Sequence, residues 1–279
     1  MKKGISQWSF PSNYKLNECF KVAKDAGFDG IEVVLDETGE ITLKSTEDDI
    51  KKFVELSKSV GIEISSLATG LFWNYSLSSD EKKIREKAKD IIEKMIEVAS
   101  WLNVDTILVV PGAVDVFFNP KIPVVSYDKV YERVYESLKE LIPVAEKFKV
   151  NIGIENVWNK FLLSPIEMRN FVDSFDSDYI GVYFDVGNIL AYGYPEHWIS
   201  ILGKRIKKVH LKDFKKSIGN AEGFVNLLYG DVNWKAVMLA LKEIKYTDYL
   251  IAEVMPPKFY PESIIYETSI SMDKILERK

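Results

Sequence analysis

Glu155 in VNIGIEN, Asp185 in YIGVYFDVGN, His210 in IKKVHLKD and Glu253 in YLIAEV each close a short apolar or alternating run, where an extended segment gives way to a loop. Three carboxylates and one imidazole brought together suit a divalent cation. Buried carboxylates without a partner repel one another and take up protons; a bound dication removes that difficulty. Taken singly, each residue could instead cap a helix or pair with a lysine. Four of them at corresponding places argue for a shared site.

The elements that must position them recur as a β-rich run, a loop and a helical stretch, eight times over. The predicted strands are Lys3–Trp8, Gly30–Leu35, Glu63–Leu67, Thr106–Val110, Asn151–Asn156, Tyr179–Asp185, Lys207–Lys212 and Tyr249–Val254. Between them lie stretches of helical period such as EDDIKKFVELSKSVG and YERVYESLKELIPVAEKF. Ser164-Pro165-Ile166-Glu167 reads as a capping box with proline at the first helical position, and Asn233 can cap a helix starting near Trp234. Gly27 and Gly61 fall where helices should stop. Strands alternating with helices pair in parallel through right-handed crossovers. Eight units favour a single (β/α)8 barrel domain over residues 1–279, and no GxGxxG follows the first strand to suggest an open doubly wound sheet.

Alternation then assigns the faces. With Glu155 inward, Gly153 and Asn151 join it and Ile152 and Ile154 face the helices; with Asp185 inward, so is Tyr183. The same parity places Glu32, His210 and Glu253 inside. Loops after the strands are long, as in ATGLFWNYSLSS, GAVDVFFNPKIPVV and DFKKSIGNAEGFVNLLYGD, and active sites of such barrels lie where those loops gather. Phe72, Trp73, Tyr75, Phe117 and Phe118 are candidates for a wall or lid against a sugar.

Other residues carry weaker signals. Glu32 is expected to hydrogen-bond at the barrel mouth rather than bind metal, and to touch substrate. Lys212 shares the inward face of His210 and could reach a substrate oxygen or pair with a barrel acid. Trp8 and Ser6 share the inward face of strand one, so Trp8 either contacts substrate or fills the barrel. His197 reads as a loop histidine, Lys215 and Lys216 as a solvated pair, and Cys19 as a packed small hydrophobe.

The net charge of −5 gives no electrostatic case for nucleic acid or an anionic membrane, and no apolar run approaches the ~18 residues of a spanning helix. One cysteine excludes an intramolecular disulfide, and MKKGISQWSF enters a strand-like run rather than a signal core. A cytoplasmic enzyme is the expectation.

Through FDGIE (Glu32), IGIEN (Glu155), FDVGN (Asp185), VHLKD (His210), LYGDVNWKAVMLALKEI and IAEV (Glu253), the chain resembles the xylose isomerase-like barrel superfamily of sugar phosphate isomerases and epimerases. Within it the chain is similar to ketose 3-epimerases of the tagatose/psicose and L-ribulose-5-phosphate types. The resemblance implies that Glu155, Asp185, His210 and Glu253 bind one divalent ion, preferably manganese, with magnesium, cobalt or zinc as alternatives. It also implies that Glu155 and Glu253 are the proton-transfer pair. Asn188 stands where tagatose-type enzymes carry a substrate-binding histidine, closer to the phosphosugar branch. The superfamily's endonucleases, with three zinc ions and more histidines, look unlike this chain.

The expected reaction inverts C3 of a ketose or ketose phosphate, with an enediolate stabilised by the metal and carboxylates on opposite faces moving the proton. The same apparatus could run an aldose–ketose isomerisation or an inosose-type dehydration, and the rival of another class is a non-catalytic metal-dependent sugar-binding barrel. Expected substrate contacts are Glu32, Asn188, Lys212, Trp8 and Trp73. A homo-oligomer is possible, since the long aromatic loops could pack on a neighbour.

Overall fold

The computed structural model describes residues 1–278. Eight parallel strands close into a barrel: β1 (Lys2–Ser6), β2 (Gly30–Val34), β3 (Glu63–Ala68), β4 (Thr106–Val109), β5 (Asn151–Glu155), β6 (Ile180–Asp185), β7 (Ile206–Leu211) and β10 (Tyr249–Ala252). Two further strands, β8 (Asp213–Phe214) and β9 (Phe224–Val225), form a small antiparallel hairpin in the loop after β7. Helices alternate with the barrel strands: α1 (Leu16–Asp25), α2 (Glu47–Val60), α3 (Lys82–Leu102), α4 (Tyr127–Phe148), α5 (Pro165–Asp173), α6 (Val186–Ile189), α7 (Pro195–Leu202), α8 (Trp234–Glu243) and α9 (Ser263–Ile275).

Local chemistry sets the boundaries. Ser164 accepts from Glu167 N–H at the start of α5, whose first residue is Pro165. Asn233 accepts from Ala236 N–H at the start of α8. Gly61 ends α2 at φ 76, a left-handed turn that costs a residue without Cβ little. Along α3, Ala88, Ile91, Ile92, Met95, Ile96, Ala99 and Leu102 recur at three- and four-residue spacing and are buried against the sheet.

The strands' helix-facing residues (Ile152, Ile154, Val182, Phe184, Val209 and Leu211) have no exposed surface. The barrel interior is more polar. Two register shifts, between Ile31 and Glu32 against β3 and between Val182 and Tyr183 against β7, re-aim side chains there. Glu32 and Tyr183, which follow those irregularities, are hydrogen-bonded to each other. Among the described residues, no helix is long and apolar enough to cross a membrane.

Three expectations need correction. The first strand stops at Ser6, whose hydroxyl accepts the Trp8 N–H at 3.4 Å and curls the chain into a helical turn over Gln7–Ser9. Alternation therefore does not carry Trp8 into the barrel. His197 sits on α7, exposed beside Tyr194, and not in a loop. The long loop after β7 contains the β8–β9 hairpin, which the turn-rich sequence concealed.

Candidate functional site

Glu155 ends β5, Asp185 ends β6, His210 lies one residue from the end of β7, and Glu253 directly follows β10. Neighbouring register brings them level: Asp185 pairs with His210, and Ile251 also pairs with His210. One donor atom from each of the four lies within 4.8 Å of all the others. His210 Nδ1 is 2.9 Å from Glu253 Oε2, 3.9 Å from Glu155 Oε1 and 4.0 Å from Asp185 Oδ2. Metal–ligand bonds of about 2.0–2.2 Å put adjacent donors ~3 Å apart and opposed ones ~4 Å apart, the range of the three His210 distances.

The donors are also prepared one atom at a time. Asp185 Oδ1 accepts from Asn188 N–H at 2.8 Å, whereas buried Oδ2 accepts no N–H or O–H bond and faces the Lys212 ammonium at 3.1 Å. His210 Nε2 faces Glu32 Oε1 at 3.0 Å, whereas Nδ1 has no hydrogen-bond partner despite the nearness of Glu253. The two atoms are near enough to be ligands of one centre. Three carboxylates and one imidazole buried this close together suit a divalent cation, and the Lys212 ammonium alone offsets only part of their charge.

Electrostatics agree. Burial pushes the Glu155 carboxyl up to about 8, against the pull of Lys212 and with the help of Glu253. Burial also works to raise Glu253, but Lys212 and His210 overrule it and hold it at about 2. Asp185 is raised, again chiefly by burial. The Lys212 ammonium lies 2.9 Å from Glu253 Oε2 and 3.1 Å from Asp185 Oδ2, so the carboxylates overcome its burial and raise its pKa. Of the two roles open to Lys212, pairing with a barrel acid is the one seen.

Beneath the cluster, Glu32 is fully buried and accepts from Tyr183 Oη and, at 2.9 Å, from Ser66 Oγ, in addition to facing His210. It is therefore placed under the histidine rather than at the mouth, with both oxygens engaged. At the rim, Asn156 Nδ2 donates to Asp185 O at 2.8 Å while Asn156 Oδ1 accepts from Asp185 N–H at 2.9 Å, and Asn188 Nδ2 donates to Asn156 O at 3.0 Å. This clamp joins the ends of β5 and β6. Its signal was the asparagine in IGIEN.

Above the cluster opens a chamber of about 790 Å³, lined in part by Asn188, Lys212 and Glu253. An arc of rings borders it: Trp73 to Phe118 at 5.0 Å, Phe118 to Phe117 at 5.2 Å, Phe117 to Trp158 at 5.9 Å and Trp158 to Phe224 at 5.1 Å. Trp73, Phe117 and Phe118 thus stand together on the chamber's wall. Phe72 is in the core instead, and Tyr75 donates to Glu37. Trp158 and Phe224 were missed because their loops carry no recognisable period. Trp8 lines a different cleft, with Phe10, Tyr14 and Glu40. Lys215 and Lys216 are exposed, and Cys19 is buried in α1.

Asp213 organises the loop that carries Phe224. Fully buried, it accepts from the N–H groups of Phe214, Leu228 and Val232 and from Trp234 Nε1.

The sequence profile described as xylose isomerase-like TIM barrel matches residues 20–272. A putative L-ribulose-5-phosphate 3-epimerase of Haemophilus influenzae is 24% identical over 264 residues, covering 92% of this chain and 90% of that protein. Among solved structures, a D-tagatose 3-epimerase-like protein superposes with TM-score 0.81 at 23% identity, over 99% of this chain and 97% of the other. A D-psicose 3-epimerase crystallised in the presence of D-fructose superposes with TM-score 0.80 at 18% identity, over 100% of both chains.

Proposed function

The chain belongs to the xylose isomerase-like TIM barrel family, and from that premise we propose that it is a divalent-metal-dependent epimerase inverting C3 of a ketose. The observation that carries the reading is the convergence of Glu155, Asp185, His210 and Glu253, one donor atom of each lying within 4.8 Å of the others. The ketose 3-epimerase names of similar proteins support the reaction type.

These four residues would hold the cation, which when bound supplies Lewis-acid stabilisation of the negative charge that builds on the substrate's oxygens. Three oxygen donors and one nitrogen suit manganese, our preferred ion, as well as magnesium or cobalt. Glu155 and Glu253 extend from strands separated by β6 and β7 in the barrel. They can therefore address a substrate from different sides. One carboxylate takes the proton from the carbon beside the carbonyl, and the other returns a proton to the opposite face. Lys212 keeps Glu253 ionised, and the ring arc keeps water from the reacting carbon. Residues 1–279 act as one domain in this reading.

The test is solvent deuterium exchange into a panel of ketoses, with and without manganese. Manganese-dependent label at C3 is expected. No label in any pentulose, hexulose or phosphate ester would remove the proposal, and label at C1 alone would reassign it to aldose–ketose isomerisation.

A further inference from the structure

Building on the proton-transfer reading, the chamber's lining bears on which ketose is taken. We propose that it selects an uncharged ketose over the corresponding phosphate ester, and that the ring arc seats a second sugar ring attached at the end remote from the cluster.

Charge is the first ground. The chamber lining carries a single cation among the described residues, Lys212, against the carboxylates of Asp213, Glu222 and Glu253. Lys212 is already committed to Asp185 and Glu253. With a dication bound, Glu155, Asp185 and Glu253 would be balanced by that ion and Lys212 together, leaving no surplus positive charge. Two lysines of the loops after β4 and β5 are committed elsewhere. Lys160 pairs with Asp115 at 2.6 Å, and Lys121 lines a neighbouring cleft beside Asp80, Glu81 and Asp115. A phosphate dianion is normally met by arginine, lysine or a helix N-terminus. Stripped of water without such a partner, it binds at a large cost.

Shape and polarity are the second ground. About 790 Å³ lies towards the upper end of the ~300–1,000 Å³ usual for small-molecule sites, more than one monosaccharide fills. The C–H face of a sugar ring is apolar and packs on aromatic rings. Trp158 and Phe224 stand at 5.1 Å and 45° to one another, and Phe117 continues the surface from Trp158. Asn188 and Asn226 add neutral hydrogen-bonding groups to the same lining.

The experiment uses the full chain loaded with manganese. Fructose, fructose 6-phosphate and isomaltulose (a fructose glucosylated at its far end) are titrated, with binding read from tryptophan fluorescence and turnover from deuterium exchange. Fructose is expected to bind at least about tenfold more tightly than its phosphate, and isomaltulose at least as tightly as fructose. Tighter binding of the phosphate, or exclusion of isomaltulose, would overturn the inference. The same binding order without exchange would instead refute the proton-transfer reading and leave this one standing. Glu222 is exposed at the chamber wall, and Glu222→Arg should narrow the phosphate penalty several-fold. An unchanged penalty in that variant would count against the charge argument.

Discussion

Glu32 Oε1 lies 3.0 Å from His210 Nε2, and neither side chain has any exposed surface. The contact fixes which imidazole nitrogen faces the cluster: with Nε2 turned to the carboxylate, Nδ1 is left for the centre. Glu32→Gln keeps the shape but weakens the acceptor. Its manganese affinity should fall by about 10–100-fold, read by calorimetric titration. Unchanged affinity would show that Glu32 does no more than fill the barrel.

Glu155→Gln and Glu253→Gln should each lower deuterium exchange into the substrate by ~10²–10⁴. Elemental analysis of each variant is expected to find some cation still bound. A wild-type exchange rate in either variant would place the proton carriers elsewhere.

Lys212 offsets repulsion between Asp185 and Glu253 in the metal-free chain. Lys212→Met should cost on the order of 3 kcal/mol, as loss of one partner from a buried pair does. Manganese replaces the missing charge, so the rise in melting temperature on adding it should be larger in the variant than in wild type. Equal shifts would refute the shared role.

Cation binding to the folded chain alone must stabilise it by mass action, about 2.7 kcal/mol at a hundredfold excess over Kd. Thermal melts across a manganese series should climb accordingly, and a chelator should reverse the climb. His210→Ala should flatten the series.

At the far end of the barrel, Asp29 accepts from Lys3 N–H and pairs with Arg278 at 2.6 Å. Burial would raise its pKa, but these partners prevail and lower it. A folded pKa below the unfolded one gives stability that is present above the unfolded value of about 3.9 and lost as pH falls through the folded value. Asp29→Asn should therefore melt earlier at pH 7, and the gap to wild type should close in strong acid. A constant gap would show that the ion pair is not its cause.

The barrel and the four-residue cluster were legible because both follow from period. A carboxylate or imidazole closing an apolar strand can be placed by parity alone, which carried Glu155, Asp185, His210 and Glu253 to one end. Period fails where the backbone departs from it. Ser6 turns the chain before Trp8, and the irregularities beside Glu32 and Tyr183 hide their partnership. Loop residues such as Trp158 and Phe224 obey no repeat, so only the folded chain brings their rings together. Asp213 was visible in VHLKD, yet the amides it gathers are scattered over nearly twenty residues of turn.

All four prospective ligands descend from one contiguous stretch of the sheet, β5 through β10, whereas Trp73, Phe117 and Phe118 belong to the loops after β3 and β4. Part of the ring arc is thereby carried apart from the prospective ligands, while Trp158 and Phe224 share their half of the cylinder. Substitutions at Trp73, Phe117 and Phe118 reshape the chamber without touching a strand that ends in one of the four clustered residues, which makes the β3 and β4 loops the first place to vary the lining.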